Sequence, residues 1–114
     1  PRTDDIRNAP SVDIIKKLLE EGANLSLYDP EAAEKVKKLF PEKEPNVQYA
    51  ESAYGALKGA NAALFITEWD EFSRLDLDKV KKSMANPIII DGRNIFDPKE
   101  VRARGFEYYS IGRK

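Results

Sequence analysis

The chain contains neither cysteine nor histidine. That excludes disulfides, thiolate nucleophiles and most transition-metal sites. It also removes the side chains most used for proton transfer near neutral pH, so a stand-alone catalyst is disfavoured. An excess of charge of one sign is missing too: 19 basic residues face 20 acidic ones, for a formal net charge of −1. A field that weak argues against nucleic acid or an anionic membrane as partner, and any basic site must be local. No apolar run approaches the roughly 20 residues of a membrane span. No charged-then-apolar secretory leader is visible, so the expected location is the cytoplasm. What is there is 114 residues, 41% hydrophobic and 34% charged. This suits one domain, residues 1–114, with a real core and an ion-dense surface.

The apolar pattern alternates between helical and strand spacing. Ile14, Ile15, Leu18 and Leu19 recur at helical spacing. Asn8 is the candidate cap, Pro10 sits in the first turn, and Gly22 is a left-handed stop. Leu25 to Tyr28 reads as a strand. Glu31 to Phe40 reads as a helix with Ala33, Val36, Leu39 and Phe40 inward. Val47-Gln48-Tyr49 is a short strand near an edge. Glu51 to Lys58 is a short helix ended by Gly59. Ala62 to Thr67 is a buried strand, and Leu77 to Met84 a helix with Val80 and Met84 inward. Asp97-Pro98 opens a helix that runs through Val101 to Arg104 and stops at Gly105. Phe106 to Ile111 is a last strand, with Tyr108 and Tyr109 on alternate faces, so that one is core.

This alternation predicts an α/β, Rossmann-like open sheet, mostly parallel, with helices on both faces. A doubly wound sheet starts with a strand that lies at its centre. Here the first element is a loop and a helix, and Pro1 to Arg7 is too polar to be that strand. The first strand is therefore expected to be absent, as in a piece of a longer polypeptide. Either other residues fill the central place or the sheet closes up around it.

Ile88-Ile89-Ile90 reads as a strand buried on both faces, ending in Asp91-Gly92-Arg93-Asn94. In open α/β sheets ligands sit outside the carboxyl ends of strands. Gly92 permits a sharp turn, and Arg93 offers a planar fork of donors suited to phosphate or carboxylate. The plainer reading is an ordinary turn with a solvated arginine. Asp91 either orients the Arg93 guanidinium or caps the turn. Trp69 and Phe72 either meet a ligand or a subunit, or close the sheet edge as core. Asp29 ends a strand where dinucleotide folds place a ribose-binding acid, although Pro30 favours a helix cap there. Arg7, taken alone, is a surface arginine paired with Asp4 or Asp5. Asp29 and Asp91 also allow another class, a non-enzymatic receiver-like module holding a metal on clustered acids.

Four ordered segments carry a resemblance over essentially the whole chain. They are Pro1-Arg2-Thr3-Asp4-Asp5-Ile6-Arg7, Leu27-Tyr28-Asp29-Pro30, Ile66-Thr67-Glu68-Trp69-Asp70-Glu71-Phe72 and Ile90-Asp91-Gly92-Arg93-Asn94. Together they resemble the C-terminal, UDP-binding domain of the UDP-glucose/GDP-mannose dehydrogenase family. Glu68-Trp69 to Phe72 favours its UDP-glucose branch. The resemblance implies an enzyme that oxidises the C6 alcohol of UDP-glucose to UDP-glucuronate and reduces two NAD. The catalytic cysteine and the glycine-rich NAD loop belong to parts outside this chain, so the chain alone is expected to be inactive. It implies further that Arg93 contacts the UDP-sugar and that Arg7 reaches the cofactor across a cleft. The implied partners are the NAD-binding and central helical parts of the same polypeptide, and further copies in a homo-oligomer. The family's substrate-binding lysine, in a Phe-Lys pair, would fall immediately before Pro1. Asn8 stands where many relatives carry serine, and both cap helices.

Overall fold

The computed structural model describes residues 10–30, 33–43, 46–66 and 70–110. They fall in two compact units, Pro1–Ser52 and Ala53–Lys114.

In the first unit the helical run of isoleucines and leucines forms α1 (Pro10–Glu20). Gly22 ends it at φ 86°, with its N–H on the Leu19 carbonyl and that of Ala23 on Leu18. Only glycine takes this left-handed turn without a Cβ penalty. Strand β1 (Leu25–Leu27), helix α2 (Ala33–Leu39) and strand β2 (Val47–Tyr49) follow. β1 and β2 pair in parallel, Leu25 opposite Val47 and Leu27 opposite Tyr49. Ile15 and Val36 form the centre of the core, with Val12, Leu19, Leu25, Leu27, Phe40 and Tyr49 packed on them. Leu39, expected inward, is instead 48% exposed. Val36 and Phe40 are four residues apart and share one face of the helix. The Tyr49 hydroxyl holds that face by donating to the Phe40 carbonyl. Leu39, about 100° round from Phe40, is left outside.

The second unit runs α3 (Ala53–Leu57), β3 (Ala63–Phe65), α4 (Asp70–Ser73), α5 (Leu77–Ser83), β4 (Ile88–Asp91), α6 (Pro98–Ala103) and β5 (Glu107–Ser110). The strands make one parallel sheet in the order β3-β4-β5. On one face Ala63, Phe65, Ile89, Asp91 and Tyr108 are buried. Phe65 meets Phe72 and Phe96 edge-on, with ring centroids 5.5 and 4.9 Å away. On the other face Leu64, Ile90 and Tyr109 stand side by side in register. Leu64 is 39% and Tyr109 56% exposed, while Ile88 and Ile90 are half-buried. The isoleucine strand is thus closed on one face only: adjacent residues on a strand point to opposite sides, and the fully buried side chains all lie on the Ile89 side.

Among the described residues all ladders are parallel, as the alternating elements predict, and the one antiparallel pairing is an isolated bridge between Lys43 and Val47. Within the first unit the described strands form a two-stranded sheet, and within the second a three-stranded one.

Candidate functional site

β4 is the central strand of its sheet, and its last residue builds the site. The Asp91 side chain is wholly buried. One carboxylate oxygen accepts the Arg93 N–H at 3.1 Å. The other accepts the Phe96 N–H at 2.9 Å and the Tyr108 hydroxyl at 2.8 Å. The Ile95 N–H adds a further donor. Gly92 donates its own N–H to the Phe65 carbonyl at 2.8 Å, tying the start of the turn to β3. Asn94 follows at φ 56°, a left-handed conformation that asparagine tolerates better than most residues. Of the two readings of Asp91, the structure shows the turn cap.

Burial pushes the Asp91 carboxyl upward. The N–H groups of Phe96 and Ile95, the Tyr108 hydroxyl and the Arg93 N–H outweigh it, and the group is held below the ordinary carboxylate range. An ionised carboxylate without water is tolerable only when donors surround it in this way. Tyr108 is fixed in turn: an Arg102 Nη2 donates to its carbonyl at 3.1 Å, and the guanidinium carbon lies 5.6 Å from its ring centre.

Arg93 itself is half-buried on this turn. Arg7, Asn8 and Trp69 lie outside the described residues. Phe72 is buried against Phe65, so it is core. Asp29 is half-buried just beyond β1, in the other unit from Asp91. The receiver-like reading is not favoured, because the oxygens of Asp91 are taken by backbone and tyrosine donors. Among the described residues no group of three acids converges closely enough to hold a metal.

A cavity of about 360 Å³ opens beside the end of the turn. Asp76, Asp78, Asp97, Glu100 and Arg104 line it, with Phe96; Arg93 does not. Arg104 is engaged there, 2.9 Å from Asp78 and 3.7 Å from Glu100. Four carboxylates against one guanidinium repel a phosphate, so this cavity is not an anion site. Sequence reading missed its acids as a group, although Asp76 and Asp97 carry the helix-cap signal: each accepts N–H groups at the start of α5 or α6.

Parallel strands joined through helices, with a basic residue on a tight turn at a strand's carboxyl end, define a Rossmann-like α/β domain. The chain belongs to the UDP-glucose/GDP-mannose dehydrogenase family; the family's UDP binding domain matches residues 1–98. It is 41% identical over 113 residues to the UDP-glucose 6-dehydrogenase TuaD of Bacillus subtilis, covering 99% of this chain and 24% of that protein. The UDP-glucose 6-dehydrogenase of Rhizobium meliloti is equally similar, 41% over 113 residues, with 25% of its length covered. The chain thus spans about a quarter of the length of these relatives. Among solved structures, the NDP-N-acetyl-D-galactosaminuronic acid dehydrogenase of Methanosarcina mazei superposes with a TM-score of 0.76 at 33% identity, covering 97% of this chain and 22% of that one.

Proposed function

We propose that this chain is the UDP-sugar-binding domain of an NAD-dependent dehydrogenase that oxidises UDP-glucose to UDP-glucuronate, with two NAD reduced per substrate. Arg93 contacts the UDP-sugar, and Arg7 reaches the cofactor from across a cleft. The reading rests chiefly on one observation: Arg93 is carried on a turn fixed by a buried carboxylate, at the carboxyl end of the central parallel strand β4. A guanidinium held there suits a diphosphate, because its planar fork pairs with two phosphate oxygens. The family match and relatives named as UDP-glucose 6-dehydrogenases support it.

NAD is assigned mainly to other parts of the polypeptide. This sequence has no G-x-G-x-x-G run to bring a backbone loop against a pyrophosphate, so the residues in hand do not form a dinucleotide cradle. The partners proposed are the NAD-binding and central helical parts of the same polypeptide, and further copies in a homo-oligomer. Nucleic acid and membrane are not among them: the net charge is −1, and no described helix is long and apolar enough to cross a bilayer. The proposed location is the cytoplasm.

Titration calorimetry tests the reading. UDP binds the chain, and Arg93→Ala weakens it by about 1–3 kcal/mol, the loss of a charged hydrogen bond. Wild-type affinity in Arg93→Ala would remove Arg93 from the site, and magnesium binding without UDP would favour the receiver-like module. The chain alone is expected to show no dehydrogenase turnover with UDP-glucose and NAD, and turnover would contradict the assignment of the chemistry to other parts.

A further inference from the structure

We propose that Asp91 and Tyr108 are a positioning pair: the buried carboxylate, steadied by the tyrosine hydroxyl, sets the turn from which Arg93 departs. The proposal rests on the assignment of Arg93 to the UDP-sugar. The pair itself does not touch ligand. Asp91 is fully buried and Tyr108 is 4% exposed.

The geometry leaves the turn little freedom. Its entry is tied to β3 through the Gly92 N–H, and its exit to Asp91 through the Phe96 N–H. Between them the Arg93 N–H returns to Asp91, and Asn94 adopts a left-handed conformation. Every one of these bonds but that of Gly92 converges on a single carboxylate. That carboxylate is braced by Tyr108, seventeen positions further on and in the neighbouring strand. In the β4–β5 register Tyr108 stands opposite Ile89, so Asp91 lies diagonal to it on the same buried face. Arg102 then clamps Tyr108 from α6.

The chemistry is specific to a carboxylate. An ionised aspartate is acceptor-only, with two oxygens for several donors. An asparagine of the same shape must turn an NH2 toward either the Arg93 N–H or the Phe96 N–H and the tyrosine hydroxyl. Donor then faces donor. Shortening the reach of Arg93 by a fraction of an ångström is enough to lose a bidentate phosphate contact, whose geometry is narrow. The pair therefore acts on affinity through placement, and Tyr108→Phe probes that with no change of charge.

The test compares Tyr108→Phe, Asp91→Asn, Arg93→Ala and Val80→Ala in the 114-residue chain. UDP affinity is read by calorimetry, and amide exchange of Arg93 and Phe96 by NMR. Tyr108→Phe removes one hydroxyl and keeps the ring, so it guards against a variant that fails to fold. It is expected to speed exchange at Arg93 and Phe96 and to weaken UDP by about 3–10-fold, with a larger loss in Asp91→Asn. Val80→Ala opens a cavity in the buried face of α5 at a residue outside the hydrogen bonds described for the turn; it is expected to lower the melting temperature and leave UDP affinity unchanged. Unaltered exchange at Arg93 and Phe96 in both pair variants overturns the proposal. So does wild-type UDP affinity in both beside a loss in Arg93→Ala, or a loss in Val80→Ala equal to theirs. Accelerated exchange with wild-type affinity in all variants, Arg93→Ala included, retires Arg93 as a UDP contact but leaves the keyed turn standing.

Discussion

A carboxylate that takes hydrogen bonds from three backbone N–H groups and a tyrosine hydroxyl stays ionised to lower pH than an exposed one. Asp91 is held ionised because the N–H groups of Phe96, Ile95 and Arg93 and the Tyr108 hydroxyl outweigh its desolvation. Its folded value lies below the unfolded one, so its contribution to stability is complete above the unfolded value, about pH 4. It is lost as pH falls further, through the folded value. Asp91→Asn should therefore flatten the acid limb of a melting-temperature profile below about pH 4, besides lowering stability at neutral pH. An acid limb of unchanged slope would mean that other carboxylates carry it. At Arg93 the geometry of the side chain matters as well as its charge. Arg93→Lys keeps the cation but loses the planar fork. Its UDP affinity is expected to fall between wild type and Arg93→Ala, and affinity equal to wild type would show that the site reads charge alone.

At the scale of the element, short helices depend on their ends, because they have few internal bonds to share the cost of nucleation. α5 is seven residues long and α6 six. Asp76 caps the first, accepting from the N–H groups of Asp78 and Lys79 at 3.1 and 3.3 Å. Asp97 caps the second through Lys99 at 3.0 Å. Asp76→Ala and Asp97→Ala should each cost about 1 kcal/mol. Thermal unfolding should register that as a drop of several degrees; a shift of less than a degree would show that packing alone sets these helices. Ends of this kind were readable in the sequence. Asp97-Pro98 opens α6 as its spacing predicts, and Gly22, Gly59 and Gly105 all take positive φ at the helix ends that the sequence marks. What could not be read depends on neighbours distant in sequence. Leu64 and Leu39 sit within apolar patterns but emerge exposed, because burial is decided by what covers a face. α4 is too short to leave a period. At the site, the strand end and Arg93 were visible, whereas the partnership of Asp91 with Tyr108 needs the β4–β5 register to be known first.

Across the whole molecule the two units differ in how much they bury. Among the described residues, three buried apolar side chains, Ile15, Val36 and Val47, belong to the first unit and thirteen to the second. Hydrophobic burial is the main term opposing chain entropy, so the described part of the first unit has less with which to hold its ladder. Among the described residues its ladder has two strands of three residues each, a size that is marginal on its own. In the second unit Ile89, at the centre of a three-stranded sheet, and Val80 are wholly buried, and Val101 nearly so. Local opening follows such differences, with regions of low burial opening at lower free energy than the core. Amides of β1 and β2 are therefore expected to exchange at least about tenfold faster than those of β4, a gap of roughly 1.4 kcal/mol. Native-state hydrogen exchange on the chain measures it directly. Equal protection of β1 and β4 would show that the units open only together, and the burial difference would then have no counterpart in stability. Because Arg93 and its supporting carboxylate lie wholly in the second unit, raising the temperature or adding mild denaturant should loosen β1 and β2 before it releases UDP.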